Sequence, residues 1–310
     1  MNGKYWNGKD ISSAAGMNVL VTGGTSGIGF EIVHFLACAG ARVIFTGRFQ
    51  ENGNRAVQLI TSEFPQAHIQ FLRHDISSLQ EVRILAETVT QIFPKLDILV
   101  NCAGVTRLRP RQLSSDGYEM QFATNYLGHF ALTAYLFPVL KKSPHARIIS
   151  VSSIAHKAGI LQFDDLQGEI FYCPTQAYRQ SKLAQLVFAL ELQRRLTKAG
   201  LPISSIPAHP GLSLTNIYQT VFSANPLLLK LVQTGVSLIG QSAAMGALPV
   251  LYAALAEEAI GGHYYGPKGF MDLKGYPAEA HIAPQALNEE DAVRLWTISE
   301  ELSGFHFPVS

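Results

Sequence analysis

Tyr178 and Lys182 stand four residues apart in the run AYRQSK, a spacing that puts both side chains on one face of a helix. Together they could move a proton. A free tyrosine titrates at about 10, too high for a base at neutral pH, and a nearby ammonium favours the phenolate and lowers that value. Asn125, in TNYLGHF, and the pair Ser152-Ser153 lie upstream and offer further hydrogen-bonding groups. Adjacent residues on a strand face opposite ways, so only one of the two serines can join the same site. The run Thr22–Gly29, TGGTSGIG, brings a second chemistry. Its glycines let the backbone turn tightly and approach a pyrophosphate, whose charge the amides of a following helix stabilise. Gly23, Thr25, Ser26, Gly27, Ile28 and Gly29 are therefore candidate dinucleotide contacts. A nicotinamide beside a tyrosine acid/base implies hydride transfer at an alcohol or carbonyl, with pre-placed O–H donors stabilising the oxyanion that forms.

These groups need a scaffold, and the pattern along the chain supplies one. Apolar strand-like runs at Asn18–Thr22, Ala41–Thr46, His68–His74, Asp97–Asn101, Arg147–Val151, Ile203–Ala208 and Gly262–Tyr265 alternate with helical periodicity. Several are near-continuously apolar, as strands covered on both faces must be. The expected fold is α/β, a single-domain, doubly wound Rossmann sheet of about seven parallel strands flanked by helices. The expected limits are an N-terminal extension at 1–16, the domain at 17–303 and a C-terminal tail at 304–310. Residues 154–177 and 212–240 break the βα rhythm and read as insertions at the carboxyl edge of the sheet, where ligands of such folds bind.

Composition narrows the function classes. The chain has 310 residues, 47% hydrophobic and 15% charged, with a net charge of +1 and scattered Lys and Arg, so no basic stripe points to a nucleic-acid partner. Cys38, Cys102 and Cys173 are too dispersed for a disulfide framework or a CxxC pair, which implies a reducing, cytoplasmic location. No uncharged apolar run reaches the roughly 20 residues needed to span a bilayer. No HExxH-type spacing occurs among the histidines, so no metal is expected; His74, His129, His156 and His209 read as hydrogen-bonded structural groups.

The glycine loop, NCAG at Asn101–Gly104, Asn125, the serine pair, Tyr178-xxx-Lys182 and HPG at His209–Gly211 occur in the order and approximate spacing of the short-chain dehydrogenase/reductases, which the chain resembles over residues 17–303. VSSIAH, NYLGHF, AHPG and RLWTISEEL resemble the branch of retinol dehydrogenases, the WW-domain-containing oxidoreductase and protochlorophyllide reductases. The resemblance implies that Tyr178 is the acid/base and that Ser153, the second of the pair, bonds the same substrate oxygen. It also implies that Lys182 lowers the Tyr178 pKa and holds the nicotinamide ribose, while Asn125 anchors a water linking Lys182 to solvent. Asp75 would contact adenine. Ile76, Asn101, Ala103, Gly104, Pro210, Gly211 and Thr215 would complete the cofactor cleft.

The choice of cofactor follows from the end of the second strand, VIFTGR. An NAD site needs a carboxylate about 20 residues past the loop, whereas Arg48 can neutralise a 2′-phosphate. NADP(H) is expected to be preferred, with NAD(H) possible. Phe222, Leu227, Leu228, Leu229, Leu231, Val232, Val236, Leu238 and Ile239 make the region after Thr215 apolar, and in the family that region covers the substrate, which implies a small-molecule partner, a bulky apolar carbonyl or alcohol. The other readings are a non-catalytic nucleotide-sensing Rossmann module and a light-dependent pigment reductase. Ser153 to Tyr178 is 178 − 153 = 25 residues, longer than in the family's shorter members. Asp164, Asp165 and Glu169 interleave with Phe163, Leu166, Ile170, Phe171 and Tyr172, and burying three acids at an interface is costly unless each is paired. The segment is expected to fold back on its own subunit and leave a monomer or weak dimer.

Overall fold

The computed structural model describes residues 6–7, 13–213 and 240–309. Eight strands form one sheet: β1 Asn18–Val21, β2 Arg42–Gly47, β3 His68–Arg73, β4 Ile98–Asn101, β5 Arg147–Val151, β6 Ser204–Ala208, β7 Tyr265–Pro267 and β8 Pro277–Glu279. Their order is β3-β2-β1-β4-β5-β6-β7-β8, all parallel except the β7–β8 pair. The chain reverses its winding between β1 and β4, and that switch point opens a crevice at the carboxyl edge.

Side-chain alternation divides the core between two layers. Leu20, Ile44, Leu99 and Ile148 face one side, towards helices α3 Leu79–Ile92, α5 Gly128–Leu140 and α6 Pro174–Lys198. Val19, Val21, Val43, Phe45, Val100 and Ile149 face the other, towards α1 Gly27–Cys38, α2 Gln50–Glu63 and α7 Ala243–Leu255. All four residues of β1 and of β4 are buried, so both strands read as continuous apolar runs. α4 Met120–Phe122 leads through a π-helical turn, Ala123–Leu127, into α5.

The eighth strand was not expected. β8 is only three residues, PAE, with no apolar alternation, and its pairing with β7 is what makes it a strand. β7 begins at Tyr265, where the sequence pattern suggested an end: Gly262 has φ +82 and belongs to a turn, with its amide donating to the Ser205 carbonyl.

The chain beyond residue 303 packs into the core. α8 Glu289–Ser303 is capped by Asn288 Oδ1, which accepts the Glu290 and Asp291 amides, and ends at a left-handed Gly304. Phe307 and Val309 are then buried. Phe307 stacks on Trp296 at 4.9 Å and on Phe130 at 5.6 Å, covering α5 and α6.

The insertion folds back in part. Leu166 is buried and Phe163 packs against the core beneath the Arg294 guanidinium. Asp165 accepts the amides of Glu169, Ile170 and Phe171. Ile170 and Phe171 remain exposed, at 83% and 72%, because that Asp165 turn aims them outward.

Candidate active site

The carboxyl ends of β1, β4, β5 and β6 deliver Thr22, Cys102, Ser152 and His209 to one edge of the sheet. Gly23 has φ +72, and a Cβ there would come within 2.7 Å of Ala103 Cα, so only glycine lets the loop close on the NCAG segment. A Cβ on Gly29 would meet the Gly23 carbonyl at 2.2 Å. Ser26 caps α1 without a side-chain bond, leaving amides of the first turn directed outward. Thr25 lies against Gly47 at the end of β2, and exposed Arg48 follows, its guanidinium 5.7 Å from the Phe49 ring centre. Together these form a concave, amide-rich cradle with a cation at its adenosine end, a donor set that fits a phosphorylated dinucleotide.

The Ser153 hydroxyl lies close enough to Tyr178 to favour its phenolate, and it accepts the Ala155 amide at 3.1 Å. Ser152 points away, its buried hydroxyl donating to the Lys182 carbonyl at 2.7 Å, so the alternation of β5 selects the second serine. His156 fixes the serine's backbone: its Nδ1 donates to the Ser153 carbonyl at 2.7 Å. Burial raises the Tyr178 pKa, while the Ser153 hydroxyl and the Arg107 charge oppose the rise.

Lys182 takes a different direction from the one its spacing suggested. Its ammonium donates to the Val151 carbonyl at 2.8 Å and to Gln185 Oε1 at 3.0 Å, and the nearby cation acting on the phenol is Arg107. Burial lowers the Lys182 pKa to about 8. Asn125 is wholly buried in the π-turn. Its Oδ1 accepts the Val105 amide at 2.8 Å, and its Nδ2 donates to the Val105 carbonyl and to Ser181 Oγ. Gly104 brings the two residues together, since a Cβ there would lie 3.2 Å from Asn125 Oδ1 and 3.6 Å from Lys182 Nζ.

Gln185 carried no sequence signal, whereas His129 is hydrogen-bonded as expected. Gln185 is fully buried; it accepts from Lys182 and donates to the Asn101 carbonyl at 3.2 Å. His129 Nδ1 must donate to the Asn125 carbonyl, 3.1 Å away, and burial lowers its pKa to about 3, so Nε2 is a lone-pair acceptor. That nitrogen lies 2.9 Å from Thr22 Oγ1, which itself accepts the Cys102 and Ala103 amides. His129 thus links the glycine loop to Asn125. Cys102, beside Lys182, has its pKa pushed up to about 11 by burial.

The other expected cofactor residues lie as follows. The Ile76 side chain is in the core, and Asn101 directs its Nδ2 to Thr133 Oγ1 at 3.1 Å. One Asp75 oxygen is occupied by the Ser77 amide and hydroxyl. Gly211, at φ +66, would clash through a Cβ with the Leu273 carbonyl, and Pro210 is held through its carbonyl by Ser213 and Gln241. Thr215 and the apolar residues Phe222 to Ile239 lie outside the described residues. His209 Nδ1 accepts the Gly211 amide, in keeping with the hydrogen-bonded structural role expected, while His209 Nε2 and His74 Nε2 have no hydrogen-bond partner among the described residues.

A dinucleotide cradle at a switch point, with a tyrosine, serine and lysine at its edge, defines an oxidoreductase of the Rossmann class. The family model for short chain dehydrogenases matches residues 17–226, and the chain belongs to that family, acting on CH–OH or C=O groups. It falls in the retinol dehydrogenase branch: retinol dehydrogenase 12 of Mus musculus is 37% identical over 294 residues, covering 94% of this chain and 88% of that protein. A crystal structure of an uncharacterized protein from Mycobacterium paratuberculosis is similar at a TM-score of 0.81 and 34% identity, covering 98% of this chain and 100% of that one. The RhlG/NADP active-site complex of Pseudomonas aeruginosa is similar at a TM-score of 0.65 and 25% identity, covering 81% and 94%. Among the described residues no helix is long and apolar enough to cross a membrane.

Proposed function

We propose that the protein is an NADP(H)-dependent oxidoreductase that interconverts an apolar alcohol and its carbonyl, with Tyr178 as general acid/base. The observation that carries this reading is the convergence of Asn125 Oδ1 and Lys182 Nζ on Gly104 at the carboxyl edge, with the Ser153 hydroxyl beside Tyr178. Bound nicotinamide would supply or accept the hydride. Tyr178 Oη gives its proton to the substrate oxygen in reduction and takes it back in oxidation, and Ser153 Oγ holds that oxygen in place. Lys182, fixed by Val151 and Gln185, presents its remaining N–H to the ribose and to a proton path bounded by Asn125.

Arg48, at the end of β2 and without an opposing carboxylate there, supports the 2′-phosphate form, and an NADP complex in a similar fold agrees with it. The retinol dehydrogenase relative and the apolar sequence between Phe222 and Ile239 support a bulky apolar substrate. A monomer or weak dimer is supported by the C-terminal aromatic cover on α5 and α6. Three free cysteines fit a cytoplasmic location. The test is a screen of NADPH and NADH oxidation, in the dark, against apolar aldehydes and ketones with Tyr178→Phe as control. NADPH-dependent turnover lost in the variant supports the reading; equal turnover by both proteins overturns it.

A further inference from the structure

Gln121 is fully buried and lies between two segments that flank Tyr178. Its Oε1 accepts the Arg107 amide at 2.7 Å. Its Nε2 donates to the Pro174 carbonyl at 3.1 Å, in the first turn of α6, and lies 3.1 Å from Tyr172 Oη. Tyr172 in turn donates to the Leu108 carbonyl at 3.0 Å and lies 3.2 Å from Glu119 Oε1. One amide therefore joins the loop after NCAG to the start of the helix that carries the phenol.

Two features of that loop have no use in packing. Arg107 holds φ +50, a left-handed conformation that a side chain with a Cβ seldom adopts unless surrounding contacts impose it. Its guanidinium is exposed and, among the described residues, has neither a hydrogen bond nor an ion pair. Its charge nonetheless acts on the Tyr178 phenol. A solvated arginine would need neither the strained backbone nor a buried amide to hold it.

We propose that Gln121 is a positioning residue for the Tyr178 reaction: its two-ended amide locks the Arg107 turn and the first turn of α6 in one register, which fixes the phenol on that helix relative to the loop that carries Arg107. Glu119 and Tyr172 brace the amide, and Arg107 stabilises the negative charge that develops on the phenol and the substrate oxygen. The proposal rests on the reading of Tyr178 as acid/base. The groups that act on the phenol are Ser153 on the loop after β5, Tyr264 before β7 and Arg107 after β4, while Lys182, one turn along α6, is turned to Val151 and Gln185.

The test compares Gln121→Met, Arg107→Gln and the double variant, using carbonyl reduction by NADPH from pH 6 to 10. Arg107→Gln keeps the backbone amide and removes only the charge. Each single variant is expected to lower kcat/KM about tenfold, to move the alkaline limb of the profile to higher pH by the same amount, and to leave NADPH affinity within about twofold of wild type. The double variant should be no worse than the poorer single one, because both act through one interaction. Additive losses, or a Gln121→Met protein that melts earlier yet keeps the wild-type pH profile and kcat/KM, would overturn the proposal. If Gln121→Met does not fold, Tyr172→Phe takes its place: a smaller shift in the same direction supports the positioning role, and an unchanged profile refutes it. Tyr178→Phe in the same assay separates the two levels, since its full activity removes the acid/base reading and this proposal together, whereas its inactivity beside an unaffected Gln121→Met removes this proposal alone.

Discussion

Along α6, the first half presents Tyr178, Ser181, Lys182 and Gln185 to polar partners, while the second half buries Phe188, Leu192 and Leu196 in the core under Trp296 and Phe307. The first half is held by direction, with Ser181, Lys182 and Gln185 matched to Asn125, Val151 and Asn101. The second is held by area, and its one buried carboxylate, Glu191, is neutralised by Arg194 and Arg195 at 2.7 and 2.6 Å. One helix thus separates two tasks. A geometric error in the first half should cost turnover, and a lost contact in the second should cost stability.

The largest effect should come from Tyr178→Phe, which removes the transferable proton but keeps the ring. Turnover should drop by about 10²–10⁴-fold, or roughly 3–5.5 kcal/mol of barrier, with the unfolding midpoint close to wild type. Steady-state rates beside calorimetry read both quantities, and a variant that melts early but turns over normally would invert the comparison. Phe307→Ala is the counterpart at the other end. It should lose about 3–5 kcal/mol in urea unfolding, as for other buried aromatic truncations, while kcat per folded molecule stays unchanged. A loss of kcat without a loss of stability would show that the C-terminal cover reaches the site. Arg48→Asp should do neither; instead it should weaken NADPH relative to NADH by about 10–100-fold, the worth of a charge-assisted phosphate bond. Titration of both cofactors reads this directly, and an unaltered ratio would remove Arg48 from the cradle.

The remaining effect is one of pH. With a folded-state pKa near 8 against 10.5 for an ordinary lysine, Lys182 binds fewer protons folded than unfolded between those values. Its burial penalty is therefore full below pH 8 and vanishes above 10.5, so stability gains from this group as pH rises through that window. The unfolding free energy of wild type minus that of Lys182→Met should climb between pH 8 and 10.5, measured by urea denaturation. A flat difference would mean that the ammonium is better solvated than its two protein acceptors suggest.

Local pattern alone determined the doubly wound sheet, the glycine loop and the placement of Tyr178 and Lys182 on one face of a helix. Those features repeat within a few residues, with the period of two or about 3.6 that the backbone imposes. The same periods assign faces without naming partners. Nothing near Lys182 announces that its ammonium turns to Val151 and Gln185, nothing near Asn101 that its amide leaves the cleft for Thr133, and nothing near Arg107 that Gln121 holds it in a left-handed turn. β8 exists because β7 offers an edge, and Phe307 is buried because α5 and α6 leave an apolar face for it. Each of these depends on hydrogen bonds or packing between segments far apart in the chain, and buried polar groups settle on whichever distant partner satisfies them.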